Sequence, residues 1–186
     1  MTLKLKLIIF LSLSILVVTG LIFNVGFSDD VHDIKEVVIA SQNDPSTEVI
    51  HIEFLNDRKA IAFYERATHE YKYFGNVALQ QKLFNWQSAG GSASYISKDY
   101  PLNWTFSNLE KQGFNDYTDL LSGKITDPKI DVVQIKTKND NEYEAQVIEY
   151  RPGEKFWFFV SDGENLIGST VTGLSKAGEI IDEITG

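Results

Sequence analysis

The chain has 186 residues, a formal net charge of −9 and no cysteine. The absence of cysteine excludes disulfides, thiol catalysis, acylation at a cysteine and cysteine-based zinc sites. All 26 acidic residues but only 15 of the 17 basic residues follow Ser28, so that part carries a net charge of −11. Because such a surface repels phosphate groups, we expect no nucleic-acid partner.

Leu7–Phe27 is an uncharged apolar segment of 21 residues, with two lysines shortly before it and two aspartates shortly after it. About 20 apolar residues suffice for a helix to cross the hydrocarbon core of a bilayer. The positive-inside rule places residues 1–6 in the cytoplasm and the domain that follows the segment outside. We therefore predict a single-pass cell-membrane protein with a transmembrane helix at 7–27.

A cleavable secretory signal is the alternative for the same segment. The apolar core of a signal usually spans only about 7–15 residues, and Leu7–Phe23 is longer than that. Gly26-Phe27-Ser28 nevertheless supplies small residues for a cleavage site. Cleavage near Ser28 would release a secreted domain, whereas retention would keep it anchored.

Residues 28–45 predict a stalk that contains a short amphipathic helix. Val31, Ile34, Val37 and Val38 recur at helical spacing, so one apolar face is expected. Pro45 ends the pattern, since the residue before a proline disfavours helical backbone angles.

Residues 46–128 form the first predicted β half. The apolar period changes to two, and short polar turns separate the segments, which is typical of antiparallel strands. We predict strands at 49–56, 60–65, 71–81, 83–88 and 101–106, with a glycine cluster ending the fourth. Ser107 and Glu110 have capping-box spacing, which predicts a helical turn at 107–113 and a short helix at 114–123.

Residues 129–186 form the second predicted β half, after a break at Pro128. Alternating segments separated by turns predict strands at 130–137, 142–150, 155–161, 165–173 and 179–184. The chain thus has nine or ten predicted strands at short spacing. This pattern predicts a mainly β fold, an antiparallel meander forming a sandwich or open barrel, with one or two short helices beside the transmembrane helix.

The sequence contains no recognisable catalytic motif, so we predict no catalytic residues, no cofactor and no metal site. His51 and Glu53 share one face of a strand, a pairing that can ligate a metal or perform acid–base chemistry, but no third ligand has a suggestive spacing. A hydrolase using this pair is a minor alternative. The acidic turns at 139–142 and 162–165 resemble parts of calcium loops without completing one.

Aromatic residues are the best candidates for binding, because exposed rings on a β surface can stack on sugars. The candidate binding residues are Trp86, Trp104, Tyr95 and Tyr100, together with His51 and Glu53. Trp157 is expected in the core instead, since the segment 155–161 is apolar on both faces, as in a strand covered on both sides.

Residues 60–91 carry an Ile-x-Phe-Tyr strand and, later, a Phe-x-Trp segment that runs into paired glycines. This stretch resembles a group of small exported proteins of spore-forming Gram-positive bacteria, and residues 173–180 are similar to that group's C-terminal strand pair. The matching residues are Ile61, Phe63, Tyr64, Phe84, Trp86, Gly90 and Gly91, whereas Asn85 replaces a usual glycine. The resemblance implies an exported, β-rich protein and assigns no catalytic residue.

Two functional hypotheses follow. The first is a membrane-anchored extracytoplasmic β-domain that binds an envelope protein or wall component. The second is a small-ligand carrier or sensor with an apolar cavity inside a barrel. The phenylalanines assigned to such a cavity are Phe54, Phe63, Phe156 and Phe158.

Overall fold

A computed structural model describes residues 30–83 and 85–185 of the chain. The predicted cytoplasmic tail at 1–6 and the predicted transmembrane helix at 7–27 lie outside these described residues. Among the residues that are described, no helix is long and apolar enough to span a bilayer.

The described chain consists of one α-helix followed by antiparallel strands. Helix α1 covers residues 30–42 and contains the amphipathic pattern predicted for the stalk. A short 3₁₀ turn lies at Glu110–Gln112. The strands are β1 Glu48–Asn56, β2 Lys59–Ala67, β3 Lys72–Lys82, β4 Asn85–Tyr95, β5 Thr105–Asn108, β6 Asp119–Ile125, β7 Val132–Lys136, β8 Glu142–Glu144, β9 Gln146–Arg151, β10 Glu154–Val160, β11 Thr170–Leu174 and β12 Ile180–Thr185.

The strands form three four-stranded sheets, and the predicted mainly β, antiparallel fold is confirmed. Sheet A has the order β1-β2-β3-β4, sheet B the order β5-β6-β10-β9 and sheet C the order β12-β11-β7-β8. Sheet B takes two strands from each side of Pro128. The two predicted β halves therefore share one sheet.

The elements stack as layers, with α1 on the outer face of sheet A. Ile34 and Val38 of α1 are fully buried against Ala62, Val77 and their neighbours in that sheet. Their spacing of four residues places both on one helical face, so burial of that face holds α1 on the domain.

Two apolar cores separate the sheets. Phe63 and Phe74 of sheet A meet Phe156 and Phe158 of sheet B in the first core. Trp157 projects from the opposite face of β10 into the second core, between sheets B and C, where it is fully buried. The prediction that this strand is central and covered on both faces is confirmed.

The predicted short helix at 114–123 is wrong, because its second half belongs to strand β6. Leu120 joins the core on the sheet A side, whereas Leu121 joins the core on the sheet C side. A strand that is apolar on both faces shows no alternation, so its sequence is easily taken for a buried helix.

The predicted N-cap at Ser107 is also wrong. Ser107 lies in strand β5, and its hydroxyl donates a hydrogen bond to Asn76 Oδ1 at 2.9 Å. The 3₁₀ turn that follows is capped by Asn108 instead, whose Oδ1 accepts from the Lys111 N–H at 2.8 Å. Ser107 thus satisfies a buried polar group of the neighbouring sheet instead of a helix end.

Strand β4 extends through the glycine cluster that was predicted to end it. Gly91 pairs with Val77 of β3, and a Cβ at Gly91 would lie 2.2 Å from the Asn76 carbonyl oxygen. The small residue at this position therefore allows a close approach of backbone inside a strand and does not mark a turn.

Candidate functional site

The structure separates the two tryptophans predicted to bind. Trp86 is only 3% exposed, and its indole Nε1 donates to Asp30 Oδ1 at 2.8 Å. It therefore fills the space between α1 and sheet A. Trp104 is half-buried against the core between sheets B and C.

Trp104 and Tyr100 line a groove of about 490 Å³ beside strand β12. Tyr100 is 64% exposed. Asp182, which also lines this groove, accepts a hydrogen bond from the Leu102 backbone N–H at 3.1 Å. The carboxylate thereby holds the edge of sheet C against the segment before β5, which is a structural role.

His51 and Glu53 meet as predicted on one face of β1, with Nε2 and Oε2 separated by 3.3 Å. The His51 ring centroid lies 5.7 Å from that of Phe156 and 6.1 Å from those of Phe63 and Phe158. The imidazole therefore stands at the rim of an aromatic core. Within residues 30–83 and 85–185, no cluster of histidine and carboxylate side chains is arranged to hold a metal.

The phenylalanines assigned to a ligand cavity do not lie together. Phe63, Phe156 and Phe158 pack on one another, with ring centroids 4.9–6.1 Å apart. Phe54 lies on the opposite face of sheet A, where its ring meets Trp86 edge-on at 6.0 Å. Three of the four rings thus fill the space that the carrier hypothesis assigns to a ligand.

The two acidic turns that resemble calcium loops meet in space. Asn139 and Asn141 donate their side-chain amides to the Glu164 carboxylate at 3.2 and 3.0 Å. Both oxygens of Glu164 are thereby occupied by amide donors, so the contact joins two turns.

Tyr95, the remaining predicted residue, belongs to an exposed aromatic row at one end of sheet A. It is 49% exposed and meets Tyr71, 46% exposed, edge-on at 5.2 Å. Tyr73 lies 6.4 Å from Tyr95, and the Arg66 guanidinium lies 5.0 Å from the centre of the Tyr73 ring. Cross-strand pairing between neighbouring strands produces this row, since Arg66 faces Tyr73 and Tyr73 faces Tyr95.

The turn between β2 and β3 fixes the position of Tyr71. The Thr68 N–H donates to the Tyr71 carbonyl at 2.8 Å, and the Tyr71 N–H donates to Thr68 Oγ1 at 3.0 Å. This reciprocal pair closes a four-residue turn of the kind that threonine hydroxyls favour. Tyr71 is therefore held at the end of the sheet beside Tyr95.

Three adjoining depressions at this end of sheet A have volumes of about 500, 290 and 150 Å³, and Lys72 lines all three. We call them together the Lys72 cleft. Its rim carries the tyrosine pair, the imidazole of His69 and charged groups of both signs, namely Glu70, Lys72, Lys98 and Asp99. Among the described residues neither Lys72 nor Lys98 forms an ion pair. Their ammonium donors are therefore available at the rim.

Lys124 lies at the floor of the Lys72 cleft, with a side chain only 9% exposed. Its Nζ lies 2.7 Å from Glu65 Oε1 and 3.6 Å from Glu154 Oε2, and it also donates to the Tyr150 hydroxyl. A buried ammonium needs such partners, because unpaired it would lose its hydration without compensation. The network joins sheets A and B beneath the cleft.

Tyr150 supplies the neutral member of this network. Its hydroxyl lies 2.7 Å from Glu65 Oε1 and 2.5 Å from Glu154 Oε2. Burial raises the pKa of Tyr150 far above its ordinary value, and the Glu154 and Glu65 carboxylates, which share its single proton as acceptors, raise it further. The same hydrogen bond lowers the pKa of Glu154, assisted by the charges of Lys124 and Arg151. A protonated phenol beside the ionised Glu154 carboxylate is the stable state.

This arrangement predicts a specific loss of stability in alkali. An unfolded tyrosine ionises near pH 10, whereas Tyr150 in the folded protein keeps its proton at that pH. The stability that the raised pKa of Tyr150 contributes is therefore complete below about pH 10 and falls as the pH rises further. Urea titration between about pH 8 and pH 11 measures the free energy of unfolding at each pH. This free energy should decline less steeply with rising pH in Tyr150→Phe than in the wild type. Tyr100→Phe, at an exposed position, is the control, and equal slopes in all three proteins would contradict the assignment.

The sequence did not reveal most of this site. Glu65, Lys124 and Tyr150 come from strands β2, β6 and β9, and the Glu65–Tyr150 contact spans 85 residues. One signal was available in the sequence, namely Lys124 within the apolar residues of β6. A charged residue in a covered strand requires a partner of opposite charge, so this lysine indicated a buried ion pair.

The fold and the cleft together define an all-β protein of three stacked antiparallel sheets, with a tyrosine-lined polar cleft at one end of sheet A. Comparison of the chain with protein-family models, with curated proteins and with solved structures finds no match.

Proposed function

We propose that this chain is a single-pass membrane protein whose extracytoplasmic β-domain binds a glycan component of the cell envelope in the Lys72 cleft. The observation that carries the proposal is the pair of half-exposed rings, Tyr71 and Tyr95, beside charged groups of both signs. The uncharged segment 7–27 supports the anchor and the external location.

The chemistry of the cleft suits a sugar. Sugar rings present flat C–H faces that pack on aromatic rings, and their hydroxyls need both donors and acceptors. Lys72 and Lys98 supply donors, while Glu70 and Asp99 supply acceptors along the same rim. A concave site that combines apolar surface with a few convergent polar groups is the usual form of a ligand site.

The cleft and the start of helix α1 lie at opposite ends of sheet A, which would place the cleft away from a membrane. Helix α1 begins beside the far end of β3, where Asp30 meets Gln81, and the cleft lies at the near end of β3, at Lys72. The 11 residues of β3 span roughly 33 Å at about 3.3 Å per residue. An anchor attached before α1 would therefore hold the cleft well clear of the bilayer surface.

Removing the two rings tests the proposal. Tyr71→Ala with Tyr95→Ala should weaken binding of the full chain to purified wall glycan about 30-fold, because each ring contributes roughly 1 kcal/mol. Co-sedimentation with insoluble wall material measures the affinity. Tyr100→Ala removes an exposed ring outside the cleft and should bind as wild type.

Crosslinking in intact envelopes distinguishes a glycan from a protein partner. A photoreactive residue in place of Tyr95 should capture glycan, whereas one in place of Ile180, which is 66% exposed in strand β12, should not. Capture of a single protein at position 95, or unchanged sedimentation of the double variant, would refute glycan binding at the cleft.

A further inference from the structure

The described chain begins beside the turn that joins β3 to β4. Asp30 Oδ1 accepts hydrogen bonds from Trp86 Nε1 at 2.8 Å and from Gln81 Nε2 at 3.4 Å. Gln81 and Trp86 are cross-strand partners that flank this turn. Whatever precedes residue 30 therefore joins the domain next to the tip of the β3–β4 hairpin.

The tight turn from Lys82 to Asn85 explains the left-handed backbone of Leu83 at that tip, but not the choice of leucine there. Its side chain is 83% exposed, and its φ of 58° lies in the left-handed region that disfavours residues with a Cβ. Asparagine or glycine would relieve the backbone and keep an apolar group out of water. A strained, exposed leucine indicates an interaction outside the domain.

Further exposed apolar groups and cationic groups lie at the same end of sheet A as Leu83. Phe54, 38% exposed, packs edge-on against Trp86, and Val31 of α1 is 36% exposed. Lys82 precedes Leu83 directly, and the Arg58 carbonyl accepts from the Gln81 N–H at 2.8 Å, so the neighbouring turn lies close by. Apolar side chains flanked by long cationic ones are typical of membrane-interface contacts.

We infer that the Leu83 hairpin tip is a second membrane contact, which inserts into the lipid interface beside the anchor. The inference rests on the proposed anchor at 7–27, since only two residues separate that segment from Asp30 and they reach at most about 10 Å. The tip would therefore lie at headgroup depth. Two contacts fix the tilt of sheet A and keep the Lys72 cleft directed outward.

The absence of cysteine allows a direct test by single-site nitroxide labelling of the full chain. The chain is reconstituted in vesicles containing anionic phospholipid and labelled in Leu83→Cys, Leu16→Cys or Ile180→Cys. Power saturation then measures accessibility to oxygen, which concentrates in lipid, relative to a water-soluble nickel chelate. The ratio at position 83 should be severalfold higher than at position 180, an exposed apolar site in strand β12.

Position 16 separates failure of this inference from failure of the anchor. A lipid-like ratio at 16 with a water-like ratio at 83 overturns the membrane contact and leaves the anchor standing. A water-like ratio at 16 overturns both.

A second variant removes the contribution of the label itself. With the label at Lys82→Cys, the additional change Leu83→Asp should lower the oxygen-to-nickel ratio severalfold, because aspartate tolerates the left-handed backbone but resists burial in lipid. Because Leu83 is exposed, its replacement by aspartate should leave the fold of the domain intact, and circular dichroism of the variant checks this. An unchanged ratio overturns the inference.

Discussion

Replacing Gly123 by alanine is expected to destabilise the domain by more than about 4 kcal/mol, which is exceptional for a single methyl group. Gly123 lies in β6, in the middle of sheet B. A Cβ there would lie 1.7 Å from the Asn103 carbonyl oxygen and 2.8 Å from the Trp104 Cα. These are backbone atoms, so no rotamer change can remove the clash.

The surrounding contacts make the site rigid. The Asn103 carbonyl accepts a hydrogen bond from Trp157 Nε1 at 3.2 Å, and Trp157 is fully buried. The Asn103 N–H donates to the Lys124 carbonyl at 2.9 Å. Moving the 103–104 segment away from β6 would therefore break buried hydrogen bonds and open the core between sheets B and C.

Urea unfolding of the fragment 28–186, which contains the whole described core, measures this effect. Gly178→Ala is the matched control, because Gly178 has a φ of 84° and its Cβ would meet no atom within 4 Å. That variant should lose only about 1 kcal/mol, the cost of a left-handed alanine. Equal losses in the two variants would contradict the close packing of residues 103–104 on β6.

The sequence predicted strands in which apolar and polar residues alternate, such as β1, and also β10, which is apolar on both faces. In β1 His51 and Glu53 alternate with Ile52 and Phe54, so a period of two was visible in the sequence. In β6 every residue is buried, Leu120 and Leu121 face opposite cores, and the period disappeared. In β10 four consecutive aromatic residues favour a strand, whereas the apolar residues of β6 fit a buried helix equally well, and only the tertiary contacts decide between the two.

The sequence predicted one residue of the candidate site correctly, because it identifies aromatic side chains but not which of them are exposed. Tyr95 was proposed as a binding residue and does line the Lys72 cleft. Trp86 was proposed on the same grounds, yet Asp30 binds its indole and α1 covers it. Asp30 of α1 is 56 residues away from Trp86 in sequence, and no local pattern indicates that the helix covers that strand.

Lys124→Met should destabilise the domain by about 3 kcal/mol, since removing one partner of a buried ion pair leaves the other charge uncompensated. Glu65, whose side chain is 18% exposed, would lose its 2.7 Å contact with the ammonium. Arg151, 3.8 Å from Glu65, is too distant and too exposed to replace it. Methionine matches the length of the lysine chain, so the loss reports charge and not packing volume.

The matched control is Lys136→Met, which removes a surface lysine that is 51% exposed and paired with Asp140 at 3.2 Å. Exposed pairs contribute at most about 1 kcal/mol, so this variant should unfold nearly as wild type. Urea titration of both variants measures the difference. Equal unfolding free energies would contradict the burial of the Lys124 network.

A double variant then distinguishes a structural network from a functional one. Lys124→Met with Glu65→Leu removes both charges together, and replacing a buried pair by apolar residues is often neutral for stability. We therefore expect most of the stability to return. Glycan binding should nevertheless be weaker than in wild type, because the floor of the Lys72 cleft has lost an ammonium and a carboxylate that line it. Recovery of both stability and binding would show that the floor supports the fold alone and that the tyrosine rim binds without it.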